Sequence, residues 1–153
     1  MLEIPRMRFT KILCPVDFSS ISREALRVAA ELVRDSSASL VLAHVSESPP
    51  WSLRGDISAP PEVVQGMLDS EQAELARWHV LAKELGVREV AVRFLTGVPW
   101  DQIVTVARSD RSIDLVVMGT HGRTGLAHVL LGSVAEKVVR HAPCAVLIAR
   151  PSR

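Results

Sequence analysis

Apolar positions cluster along this chain into five short runs: Phe9 to Pro15, Ser39 to Val45, Arg88 to Leu95, Ile113 to Val117 and Cys144 to Ala149. Four of them show almost no polar alternation, the pattern of strands covered on both faces. The third differs, because charges stand inside it, with Val90, Val92 and Phe94 facing opposite to Glu89, Ala91 and Arg93. Partial exposure of that kind marks an edge strand. Pro15 has no backbone N–H to give a ladder, so the first strand ends there.

Between the runs, apolar residues recur at helical spacing. Ser22 to Arg34 places Ala25, Leu26, Ala29, Leu32 and Val33 on one side, with Ser19 and Ser20 as candidate N-caps. A longer helix opens at Pro61-Glu62 and runs to about Leu85, with Val64, Leu68, Leu75, Trp78, Ala82 and Leu85 on its inner side and Gly86 as its stop. A third carries Trp100, Ile103, Val104 and Ala107 from Pro99 to Ser109-Asp110. The fourth starts near Ser133, where Ser133-Val134-Ala135-Glu136 has the form of a capping box. It ends at His141-Ala142-Pro143.

Strands alternating with helices predict an α/β fold: a three-layer, open, parallel five-stranded sheet of order 3-2-1-4-5 with helices on both faces, a Rossmann-like arrangement. Residues 1–153 make one domain, with 1–8 as an N-terminal extension and the proline-rich stretch 46–60 as a mobile loop. Trp51 in that loop either anchors it or stacks on a ligand. The last strand is an apolar edge, which predicts a homodimer formed through residues 144–149.

Composition narrows the picture. At 153 residues and 48% hydrophobic content, one core can bury about two thirds of the surface of the unfolded chain. A formal charge of +1, from 18 basic and 17 acidic residues, argues against nucleic acid or an anionic membrane as the main partner. No run approaches the ~18 apolar residues of a membrane span, and the first residues lack the apolar core of a secretory signal, so a cytoplasmic location is expected. Cys14 and Cys144 sit in apolar segments and read as small buried hydrophobes. His44 reads as a satisfied interior histidine, and His79, His128 and His141 are too dispersed for a zinc site.

The chemistry concentrates in Met118-Gly119-Thr120-His121-Gly122-Arg123-Thr124-Gly125, continuing to Gly132-Ser133-Val134. A strand, a glycine-rich loop and a helix start follow one another, so backbone N–H groups can approach an anion closely. A phosphate chain is the natural ligand; the competing reading is a turn that needs positive φ. The spacing is neither G-x-x-x-x-G-K-[ST] nor G-x-G-x-x-G. Asp17, at the carboxyl end of the first strand, is either a turn carboxylate beside a helix start or a ligand group. A serine capping its own helix would leave Ser133 less free to meet phosphate.

The pattern G-x2-G-x9-G-S, together with Lys11-Ile12-Leu13-Cys14-Pro15-Val16-Asp17-Phe18-Ser19 and Leu42-Ala43-His44-Val45, resembles the ATP-binding branch of the universal stress protein family along essentially the whole chain. That resemblance implies ATP, with magnesium or manganese, bound by a small cytoplasmic dimer that serves in stress response. It implies that Pro15, Val16 and Asp17 border ribose and adenine, that Val45 contacts the base, and that Met118 and Gly119 floor the pocket. Gly122, Gly132, Ser133 and Val134 would take the phosphates. Arg123 is a candidate charge-assisted donor to them. No metal ligand is expected beyond Asp17 meeting an ion carried by ATP.

Phosphoryl transfer needs a metal-holding carboxylate, a charge clamp and a group that orients the nucleophile. Only Asp17 and Arg123 are candidates, so no catalytic residue is assigned, and a nucleotide-dependent sensor or regulator is the expected function. A slow ATPase or autophosphorylating enzyme, and a nucleotide-independent dimeric interaction module, are the alternatives. A phosphate-receiver domain would need a cluster of acids and a lysine after the last strand, where this chain has Arg150.

Overall fold

The computed structural model describes residues 8–47, 59–121 and 131–150. The elements run β1 (Lys11–Pro15), α1 (Ser20–Ser36), β2 (Ser39–Ser46), α2 (Pro61–Glu84), β3 (Val90–Thr96), α3 (Pro99–Ser109), β4 (Leu115–Gly119), α4 (Ser133–His141) and β5 (Ala145–Ala149). All strand pairs are parallel, in the order β3-β2-β1-β4-β5. The expected fold class, strand order and edge position of β3 hold. Ser46, the expected start of the loop, belongs to β2 and pairs with Thr96; residues 48–58 of the expected loop lie outside the described residues. Trp51 lies outside the described residues.

The continuous apolar runs split by alternation into two cores. Ile12, Cys14, Leu40, Leu42, Leu115 and Val117 face α1 and α2, where Ala25, Leu26, Ala29, Val33, Leu75, Trp78 and Ala82 meet them. Leu13, Val41, Ala43, Val116 and Met118 face α3 and α4 and pack on Ile103, Val104, Ala107, Ala135 and Val138. Each central strand is therefore buried on both sides, which is why its sequence shows no polar alternation.

Helix α1 extends two residues beyond the expected range at each end. Ser19 is its cap, with the hydroxyl accepting from the Ser22 N–H at 3.1 Å. At the end of α2, Gly86 adopts φ of +91°, a conformation that costs glycine little and stops the helix as its position suggested. Among the described residues no helix is long and apolar enough to cross a membrane.

Cys14 is fully enclosed, and burial pushes its thiol up to about 12. Cys144 is only half-buried, just before β5, so the small-hydrophobe reading holds fully for the first cysteine alone. A thiol-exchange reagent at mildly alkaline pH should modify Cys144 slowly and leave Cys14 intact until denaturant is added. Rapid labelling of both in the native protein would show that β1 is not enclosed.

Candidate functional site

The chain leaves β1 at Pro15 through three residues that are tightly held. The Val16 N–H donates to the Ala43 carbonyl at 2.8 Å, and the Val16 carbonyl accepts from His44 Nδ1 at 2.8 Å. Asp17 Oδ1 accepts from the Ser22 hydroxyl at 2.5 Å and from the Ser19 N–H at 3.1 Å, while the Asp17 N–H donates to Ser22 Oγ at 3.0 Å. One carboxylate oxygen thus serves the α1 turn, which fixes the rotamer of Asp17. Both sequence readings of this residue remain compatible with that geometry.

Phe18 follows with φ of 67°, a left-handed conformation that costs a bulky residue of order 1–3 kcal/mol. Its ring is stacked on His44 with centroids 4.1 Å apart and tilted on Trp78 at 5.8 Å. Packing of the ring offsets the backbone strain. Nothing in the local sequence marks Phe18 for this conformation, because the contacts that hold it come from β2 and α2.

At the neighbouring strand, β4 ends on Gly119. A Cβ there would stand 2.4 Å from Ile21 Cγ2 and 3.3 Å from the Ile21 carbonyl oxygen. Glycine is required because the first turn of α1 lies directly against the end of β4. Ile21 precedes Ser22, the partner of Asp17, so Asp17 and Gly119 lie at the same end of the sheet, one on each side of the α1 start. β1 pairs with β2 on one side and β4 on the other, so strand order reverses between β1 and β4. Such a point opens a crevice in parallel sheets.

Beyond Gly119 the chain leaves and returns at one place. Gly132 N–H donates to the Thr120 carbonyl at 2.6 Å, and Thr120, itself buried, has its hydroxyl 2.9 Å from His121 Nδ1. Gly122 and Arg123 lie outside the described residues. Gly132 is the N-cap of α4, and among the described residues no side chain caps that helix. This corrects the capping box expected from Ser133 and Glu136: the chain is pinned at Gly132, so Ser133 becomes the first helical residue. Glu136 pairs with Arg140 one turn on. Among the described residues the N–H groups of Ser133, Val134 and Ala135 consequently have neither an intrahelical nor a side-chain partner, whereas the Glu136 N–H donates to the Gly132 carbonyl. Free N–H groups of this kind are the condition under which a helix start attracts an anion.

The structure brings Pro15, Val16, Asp17, Met118, Gly119, Gly132, Ser133 and Val134 to the carboxyl ends of β1 and β4. Val45 stands at the same end of β2, half-buried opposite Leu95. Ser133 is exposed, Val134 half-buried and Met118 buried against α3 and α4. The contributions of His44, Ser22 and Phe18 were not foreseen as parts of this site. The Asp17-x4-Ser22 spacing was the only available signal, and it is too common to single out.

The sequence profile of the universal stress protein family matches residues 8–150. The universal stress protein MJ0531 of Methanocaldococcus jannaschii is 35% identical over 147 residues, covering 93% of this chain and 82% of that relative. The structure of UspA from Lactobacillus plantarum aligns with a TM-score of 0.79 at 26% identity, covering 95% of this chain and 100% of that one. A universal stress protein in complex with cAMP aligns with a TM-score of 0.70 at 26% identity and the same coverage. This chain, from its strand order to the glycines at both ends of its loop, belongs to the universal stress protein family.

Proposed function

We propose that the crevice between β1 and β4 binds ATP and that the protein works as a nucleotide-dependent sensor or regulator. Pro15, Val16, Asp17 and Val45 border base and ribose, and Met118 and Gly119 form the floor. The phosphates lie along Gly122, Arg123, Gly132, Ser133 and Val134. The observation that carries this reading is the start of α4, without a side-chain cap among the described residues, opening at the strand-order reversal and at the same end of the sheet as a carboxylate held in one rotamer. The relative in complex with cAMP supports an adenine nucleotide at this fold.

Native mass spectrometry should reveal a co-purified nucleotide. Calorimetry with ATP and magnesium should give one site per chain, and the bound ATP should stay intact over hours. An absence of heat would favour an interaction module that does not use nucleotide. Product that accumulates in proportion to protein and disappears in Asp17→Ala would instead make the chain a slow ATPase.

We also propose that two copies associate through β5, which lies at the sheet edge with Val146, Leu147 and Ile148 only partly covered. Sedimentation at micromolar concentration should report a dimer, and a charged residue at Val146 should dissociate it. A monomer under those conditions would remove the proposal.

A further inference from the structure

We propose that His44 and Glu71 share one proton, and that this link acts through the Val16 carbonyl to position the wall of the nucleotide crevice, making Glu71 a positioning residue. The inference rests on the nucleotide reading above for its functional half. His44 is 3% exposed, and its Nδ1 lies 2.8 Å from the Val16 carbonyl. A carbonyl can only accept, so Nδ1 carries the hydrogen. Nε2 then faces Glu71 Oε2 at 3.7 Å, and both atoms are buried with no hydrogen-bond partner among the described residues.

A neutral imidazole with its hydrogen on Nδ1, set against an ionised carboxylate, would be two bare acceptors confronting each other away from water. Each would carry its full desolvation penalty. One proton between them removes both penalties at once, as Nε2–H donating to the carboxylate or as a carboxylic acid donating to Nε2. The described surroundings supply no substitute. From the β1–α1 connection the ring meets Phe18, and from β3 it meets Phe94 at 5.9 Å. On α2, Glu74 accepts from Trp78 Nε1 at 3.0 Å and pairs with Arg77 at 2.6 Å, and Arg23 of α1 lies over the Trp78 ring. Both arginines are thereby engaged with other groups.

The link joins α2 to the crevice. Val16 is gripped at its N–H by Ala43 and at its carbonyl by His44, and the strained Phe18 leans on the same imidazole. Loss of the Glu71 contact frees the ring to turn, and the segment from Val16 to Phe18 loses its support on that side.

Nitrogen-15 NMR of the full chain tests the proton directly. The expected spectrum shows His44 Nδ1 protonated and Nε2 either protonated or accepting a hydrogen bond. A hydrogen-free Nδ1, or an Nε2 with the signature of an unbonded lone pair, overturns the proposal. Glu71→Gln places an amide donor against a neutral Nε2 and should keep the ATP affinity of the unsubstituted chain. Glu71→Leu should weaken ATP by about tenfold, the equivalent of one net hydrogen bond. Equal affinity in Glu71→Leu, or an equal loss in Glu71→Gln, overturns the positioning role. Should the unsubstituted chain itself fail to bind ATP, the nucleotide reading falls and the positioning role falls with it, while the NMR result still decides the shared proton.

Discussion

Trp78→Ala is expected to destabilise the protein by about 3–5 kcal/mol, a large share of the 5–15 kcal/mol by which small domains are ordinarily stable. The reason lies in how α2 is attached. Of its 24 residues only Leu75, Trp78 and Ala82 are buried, all in the C-terminal half, while Val63 and Met67 near its start stay exposed. Trp78 supplies most of that buried surface. Its Nε1 donates to Glu74, its face meets Arg23, and its ring lies tilted against Phe18. Truncation therefore removes an apolar anchor and part of what offsets the backbone strain at Phe18. Urea denaturation should show a lower midpoint with an unchanged slope. A loss below about 1 kcal/mol, the average effect of any point substitution, would mean that α2 is held by something other than this residue.

The second large effect is expected at Gly132→Val. A phosphate is not the first thing the new side chain would meet. A Cβ at this position lies 3.0 Å from the Thr120 carbonyl oxygen and 3.3 Å from His121 Cα, so the two ends of the loop must move apart. The Gly132 to Thr120 hydrogen bond is lost or stretched, and the start of α4 shifts with it. Overpacking of this kind typically costs about 1–3 kcal/mol of stability. Because the α4 N–H groups move as well, ATP affinity should fall by at least roughly tenfold. Calorimetry and thermal melting on the same variant separate the two contributions. Weakened binding at an unchanged melting temperature would place the valine in the phosphate space alone. Unchanged affinity would place the phosphates elsewhere.

How far the site was legible in the sequence differs residue by residue. Gly119 and Gly132 stood out by spacing, yet the reasons found for them are close approaches of protein to protein: Ile21 against Gly119 and Thr120 against Gly132. Asp17 was marked by its place after an apolar run, and its position at the crevice followed once strand order was known. Ser133 was misassigned because a four-residue capping motif describes only local preference. The hydrogen bond that pins Gly132 comes from the far side of the loop and moves the helix start by one residue. His44 reads in the sequence as a satisfied interior histidine, whereas only its Nδ1 has a hydrogen-bond partner among the described residues.

What the sequence determined by itself was the set of strands and helices, their alternation, and through them the order of the sheet and the end at which a ligand would sit. Those properties follow from periodic burial and from turn chemistry, which neighbouring residues express together. Tertiary structure alone decided the left-handed Phe18, the pinning of the α4 start at Gly132 and the facing of His44 on Glu71. Each of these depends on atoms contributed by segments remote in the chain, whose meeting is set by how layers pack and leaves no periodic trace in the residues themselves.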